Sequence, residues 1–136
     1  MKSNCKFYLV DDSLEFRQAM KLFVEQELGG HVIGEVGDGK DALEDENIQI
    51  AHIILMDIMM KNIGGIQATK DLLNKYSKLN IIAVSNSRDE LSMHNIFAKG
   101  FKGYIQKNKA FEELPLAIEK VRRGGYYCSK GIKIDQ

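Results

Sequence analysis

Two runs, Ile53-Ile54-Leu55-Met56 and Ile81-Ile82-Ala83-Val84, are apolar at every position, and this lack of alternation restricts the fold more than any other feature of the chain. A strand with one face in water alternates apolar and polar residues. A strand that is apolar throughout is covered on both faces, as parallel strands flanked by helices are. Both runs fall far short of the roughly 20 residues needed to cross a bilayer. The flanking stretches repeat one theme. Residues 5–10 are apolar and β-prone and stop at Asp11-Asp12-Ser13, after which Phe16, Ala19, Met20, Phe23, Val24 and Leu28 share a helical stripe. Gly29-Gly30 closes that helix, because glycine reaches the left-handed conformation that follows a last turn.

The same reading predicts strands over 31–36, 52–56, 80–84 and 102–105 and helices over 39–47, 66–76, 88–99 and 110–123. Ser87-Arg88-Asp89-Glu90 has capping-box spacing, which marks a helix start. Five strands in strict alternation with five helices imply an α/β fold, a doubly wound (βα)5 sandwich on a five-stranded parallel sheet. A chain of 136 residues has room for one such domain. The tail from Gly124 (GGYYCSKGIKIDQ) loses periodicity, so residues 1–123 are expected to form the domain and 124–136 a C-terminal tail or the start of a linker.

Charge excludes one class of partner. Lys and Arg number 19 and Asp and Glu number 19, so the chain lacks the broad positive field that holds nucleic acid through its phosphates. Any DNA contact is expected outside these residues. The N-terminus reaches Asp11-Asp12 before a signal-peptide core could form, so a cytoplasmic protein without a membrane segment is expected. Cys5 and Cys128 stand far apart without metal-ligand spacing, and Cys5 is expected in a core. His31, His52 and His94 fall on different elements, which argues against a histidine metal site. Met56, Met59 and Met60 read as packing residues.

Open α/β sheets bind ligands beyond the carboxyl ends of their strands. Asp11-Asp12 ends the first strand, Asp57 follows the third, Ser85 ends the fourth, and Lys107 follows the fifth. Each has an ordinary reading alone: turn or N-cap acids, a strand-end hydroxyl, a surface lysine. Together they put three carboxylates, a hydroxyl and an ammonium on one rim. Three close carboxylates need a cation, and an all-oxygen site of modest size suits Mg²⁺.

These residues carry a resemblance. Asp11-Asp12, Met56-Asp57-Ile58-Met59-Met60 with Gly65 eight residues past Asp57, Ala83-Val84-Ser85 and Gly103-Tyr104-Ile105-Gln106-Lys107 make residues 5–123 similar to the receiver domain of two-component response regulators, a flavodoxin-like (βα)5 fold. The resemblance implies that Asp57 is the phosphoacceptor, served by a histidine kinase, a phosphotransfer protein or a small phosphodonor. It implies Mg²⁺ held by Asp12, Asp57 and the backbone carbonyl of Met59, with Asp11 acting mainly through water. Lys107 would neutralise the phosphoryl group, Ser85 would be the switch hydroxyl, and Tyr104 the switch aromatic. Such a domain is a self-phosphorylating phosphoacceptor and not a turnover enzyme. Lys61 and Asn108 depart from the family pattern, at positions that bear on loop geometry.

Ser85 drawn toward the phosphoryl group would vacate space into which Tyr104 swings, carrying the signal to the surface of the helix over 88–99, the strand over 102–105 and the helix over 110–123. Val121-Arg122-Arg123-Gly124-Gly125-Tyr126-Tyr127 and the serine at position 85 resemble receivers of NarL/FixJ-type transcription regulators. The output would then be a DNA-binding domain outside this chain, or else the chain is a free-standing receiver acting on another protein; a phosphorylation-dependent homodimer is a further partner expected of it. Two rivals stand beside this reading. Gly37-Asp38-Gly39-Lys40-Asp41-Ala42 fits a dinucleotide fingerprint, with Asp57 placed 20 residues after Gly37. Against it, Asp38, Asp41, Glu44, Asp45 and Glu46 would crowd acid around a pyrophosphate, and Asp11, Asp12 and Lys107 go unexplained. A pseudo-receiver, folded alike but unphosphorylated, is the second rival.

Overall fold

A computed structural model describes residues 4–60, 62–86 and 96–129. The strands are β1 (Lys6–Val10), β2 (His31–Val36), β3 (Ile53–Asp57), β4 (Ile81–Ser85), β5 (Gly103–Gln106) and β6 (Tyr127–Cys128). The α-helices are α1 (Leu14–Leu22), α2 (Gly39–Glu44), α3 (Gly65–Lys75) and α4 (Ala110–Arg122). A π-helical turn, Phe23–Glu27, extends α1, and 3-10 turns occupy Glu46–Ile50 and Lys107–Lys109. The strands form one sheet in the order β2-β1-β3-β4-β5-β6, parallel at every pairing.

Every residue of β3 and β4 is buried, as their unbroken apolar character requires. Successive side chains go to opposite faces, so the two layers divide by parity. Leu9, Ile53, Leu55, Ile82, Val84 and Ile105 meet α1 and α4 residues on one side. Tyr8, Val10, Ile54, Met56, Ala83 and Tyr104 meet α2 and α3 residues on the other. This is the doubly wound sandwich expected from the sequence. Cys5 is buried in the first cluster, and Gly29 takes the left-handed φ of 68° that ends the first helix.

The structure corrects two points. Among the described residues the sheet has six strands where five were expected: β6 pairs with β5 through Gly103↔Tyr127 and Tyr104↔Cys128. Two residues are too few for alternation to register in the sequence. The helix predicted over 39–47 stops at Glu44, because Asp45 is extended (φ −97°, ψ 105°) and starts a 3-10 turn. Its carboxylate accepts from Asn47 N at 3.0 Å and from the buried Tyr8 hydroxyl at 2.6 Å, two bonds that a continuous helix would forfeit. The predicted helix over 88–99 and its capping box lie mostly outside the described residues; Ile96 to Gly100 form turns.

Gly65 brings the start of α3 against the end of β3. Its N–H donates to Ile58 O at 3.0 Å, and a Cβ there would collide with the carbonyl of Asp57 and the Cα of Ile58. Only glycine permits so close an approach. Gly65→Ala is expected to cost about 2 kcal/mol, as overpacking against backbone does, with urea denaturation as the measurement. A midpoint equal to the wild type's would show that the loop yields freely.

Candidate functional site

The parallel sheet brings the carboxyl ends of β1, β3, β4 and β5 to one rim. Asp11 is anchored there by its own N–H, which donates to Val36 O on β2 at 3.1 Å. Ser13 caps α1, its hydroxyl accepting from Phe16 N at 3.2 Å, and its N–H donates to Asp11 Oδ1 at 2.8 Å. Asp11 is only 3% exposed, and its Oδ2 makes no well-angled hydrogen bond among the described residues. Its contact is ionic: Lys107 Nζ stands 2.8 Å away. Asp57, likewise buried, accepts from Met59 N on Oδ1 at 3.0 Å, and its Oδ2 is 3.8 Å from the same ammonium. Asp12 is exposed at the mouth of the cleft, alongside Met59, whose side chain is also exposed.

Among the described residues, one ammonium thus serves a cluster in which oxygens of Asp11, Asp12 and Asp57 all lie within 4.8 Å of one another. At that separation two carboxylates repel by roughly 3 to 4 kcal/mol at an effective dielectric constant near 20. The effect registers on Asp57, whose carboxyl is pushed up from 3.8 to about 6. Burial is the largest cause and Asp11 the next; Lys107 and the Met59 N–H pull the other way, and Asp12 adds to the rise. A hard divalent cation answers each of these features: excess negative charge, oxygen donors only, and a buried Asp11 oxygen with one ionic contact. Asp11, Asp12 and Asp57 would hold it.

Ser85 ends β4 fully buried, opposite Gln106 of β5. Tyr104 pairs with Ala83, two residues before Ser85, and is fully buried in the α2–α3 layer. Its ring already occupies the inward position in this conformation. Of the three histidines, His31 is exposed at the start of β2, His52 precedes β3 and accepts from Lys6 N at 2.8 Å, and His94 lies outside the described residues. In the dinucleotide-like segment, Asp38 caps α2 by accepting from Asp41 N at 2.9 Å. A Cβ on Gly39 would meet Ala68 of α3 at 2.8 Å, so that glycine serves the packing of α2 on α3.

Two contributors escape sequence reasoning. Phe16 places its ring 4.5 Å from Lys107 Nζ, a cation–π contact; helical spacing shows it only as part of the apolar stripe of α1. Arg17 donates from Nη1 to Asp11 O at 2.6 Å and from Nε to Glu35 at 2.8 Å, tying the site to edge strand β2. Neither has a local sequence signal, because both contacts depend on where α1 meets the rim.

The sequence matches the family model of the response regulator receiver domain over residues 7–119. Among curated proteins, it is 29% identical over 126 residues to the transcriptional regulatory protein DegU of Brevibacillus brevis, covering 93% of this chain and 53% of that protein. It is 33% identical over 119 residues to the transcriptional regulatory protein YdfI of Bacillus subtilis (strain 168), covering 88% and 55%. The chain thus spans about half the length of these relatives. Among solved structures, a LuxR-family two-component response regulator from Aurantimonas sp. SI85-9A1 superposes with a TM-score of 0.84 at 26% identity, covering 96% of this chain and 93% of that one. The non-phosphorylated receiver domain of RcsB from Escherichia coli shares the fold, with a TM-score of 0.82 at 21% identity over 94% of this chain and 100% of the other. With the family matched across most of its length, the chain belongs to the response regulator receiver domains.

Proposed function

We propose that this domain takes a phosphoryl group onto Asp57 from a histidine kinase, a phosphotransfer protein or a small phosphodonor, and thereby controls a transcription-regulating, DNA-binding domain outside this chain. The observation that carries the proposal is the placement of Asp57: buried, 3.8 Å from Lys107 and joined with Asp11 and Asp12 in one oxygen cluster. A carboxylate oxygen of Asp57 forms the new bond to phosphorus as the bond from phosphorus to the donor's leaving nitrogen or oxygen breaks. Asp57 Oδ1 is steadied by the Met59 N–H, which leaves Oδ2 as the nucleophile. Lys107 is shared between Asp11 and Asp57, which supports a role for it in meeting an incoming phosphoryl oxygen. When bound by Asp11, Asp12, Asp57 and the Met59 carbonyl, Mg²⁺ supplies positive charge that neutralises the oxygens of the transferring group.

The response follows from charge added at a buried rim. The Ser85 hydroxyl is the donor proposed to turn toward the new phosphoryl group, a shift that would hold the already buried Tyr104 ring in its inward position beside β4. Zero formal charge on the chain favours an output by protein contact, whether through an attached domain or a second copy.

Incubation with acetyl phosphate and Mg²⁺, followed by intact-mass measurement, tests the proposal. One phosphoryl group is expected on the wild type and none on Asp57→Asn. An unlabelled wild type, or undiminished labelling of Asp57→Asn, refutes it; the first result would leave the domain a pseudo-receiver that acts by protein contact alone.

A further inference from the structure

The segment after α4 is built into the sheet by more than its two strand residues. Tyr127 N donates to Lys102 O at 3.1 Å, and Ser129 N donates to Tyr104 O at 2.9 Å. Ser129 is 2% exposed, and its hydroxyl is used twice: it accepts from Gln106 N at 2.9 Å and donates to Glu113 Oε1 at 2.8 Å. The Tyr127 hydroxyl donates to the same Glu113 oxygen at 2.9 Å. On the outer side, the Tyr126 ring packs on Phe97 at 5.1 Å.

These bonds converge on the peptide next to the site lysine. Gln106 is the last residue of β5, and Lys107 begins the adjoining 3-10 turn. β6 runs parallel to β5, so Ser129 lies at the same edge of the sheet as Gln106 and Lys107. β6 itself stops at Cys128, so among the described residues no carbonyl of β6 receives the Gln106 N–H. The Ser129 hydroxyl stands in for it, at the point where β5 must end for Lys107 to turn toward Asp11 and Asp57. Glu113, from α4, fixes that hydroxyl from behind.

We propose that Ser129 is a positioning residue for Lys107, acting through the Gln106 peptide and held in place by Glu113. The segment beyond α4 is then a working part of the phosphoacceptor site, although the family match ends at residue 119. The same bonds make it a conduit. A rearrangement of β5 around Tyr104 changes the hold on Ser129, and a pull on the chain beyond Ser129 disturbs Lys107. This inference rests on Asp57 being the phosphoacceptor.

The test compares wild type, Ser129→Ala, Ser129→Thr and Glu113→Ala, with Ile48→Val as a control for mild destabilisation far from the rim. Two quantities are measured below the melting range of every variant: the rate of labelling by acetyl phosphate with Mg²⁺, and the nitrogen NMR signal of Lys107 Nζ without phosphodonor. Ser129→Ala is expected to slow labelling by about five- to tenfold, a modest share of what misplacing a reacting group costs, and to shift the Lys107 signal. Glu113→Ala should do the same to a smaller degree, Ser129→Thr should restore both by keeping the hydroxyl, and Ile48→Val should change neither. A wild-type rate together with an unmoved Lys107 signal in Ser129→Ala overturns the proposal. Should Ser129→Ala not fold, Glu113→Ala is judged by the same criteria. If the wild type itself takes no phosphoryl group, the reading of Asp57 fails separately, and the Lys107 signal alone decides: a shift upholds the positioning role and an unmoved signal overturns it.

Discussion

Asp57→Asn should stabilise the metal-free protein by about 3 kcal/mol more at pH 8 than at pH 3, from a rise of about two pH units at 1.36 kcal/mol each. The carboxyl stands at about 6 in the folded protein against an ordinary 3.8, so its sign is opposite to that of a salt-bridged aspartate. Below 3.8 the group is neutral in both states and contributes nothing. As the pH rises toward 6 the unfolded chain has lost its proton and the folded protein keeps it, so stability falls. Above about 6 the folded state bears the full penalty of a buried charge beside Asp11. An amide of the same shape removes that penalty and keeps an oxygen for the Met59 N–H. Urea midpoints for both proteins between pH 3 and pH 8, with chelator present, give the comparison. An advantage of Asp57→Asn that does not change with pH would mean that the buried acid cluster is not the source. Saturating Mg²⁺ should narrow the gap, because binding to the native wild type alone contributes about 1.4 kcal/mol at ten times the dissociation constant.

How far each feature is legible in the sequence depends on how it is encoded. β3 and β4 announce themselves because burial on two faces removes polar residues from consecutive positions, a property any window detects. The rim is legible for a topological reason: once the strands are parallel, their carboxyl ends share an edge, so Asp11, Asp12, Asp57, Ser85 and Lys107 have to converge wherever the helices lie. β6 is not legible, since Tyr127 and Cys128 are held by backbone pairing with β5 and Tyr127 also by its hydroxyl's bond to Glu113, neither of which leaves a periodic trace. The break at Asp45 is hidden for a similar reason. Ala42 to Asn47 carries no glycine or proline, and the Asp45 carboxylate where the helix stops is held both by Asn47 N and by Tyr8, 37 residues away in the chain. Phe16 shows the limit in its sharpest form. Helical spacing assigns it to the core stripe of α1, and the first turn of that stripe overhangs the rim, where the ring meets Lys107.

Lys107→Met should carry the other large effect, because the Lys107 ammonium contacts both buried acids. Methionine keeps most of the stem's bulk over Phe16 and removes only the charge. Breaking a buried pair by taking one partner away costs about 3 to 5 kcal/mol when the other stays charged. Here Asp57 has a way out. Lys107 is among the groups that hold its carboxyl down, so without the lysine the group moves further up and takes a proton near neutral pH. The loss in metal-free protein should therefore be largest at pH 8 and shrink steadily toward pH 5, a slope that a pure packing defect would not produce. Asp57→Asn placed in the same chain should recover part of the loss, leaving Asp11 as the remaining buried charge without its partner. Chemistry offers no such escape. A protonated Asp57 is a poor nucleophile, and the phosphoryl oxygens have lost a donor, so labelling by acetyl phosphate should slow by about a hundredfold, the lower end of what removing one charge-stabilising donor costs. Raising the pH should restore only the part due to protonation. A labelling rate within twofold of wild type at pH 7 would remove Lys107 from the site's chemistry and leave it as the counterion of Asp11.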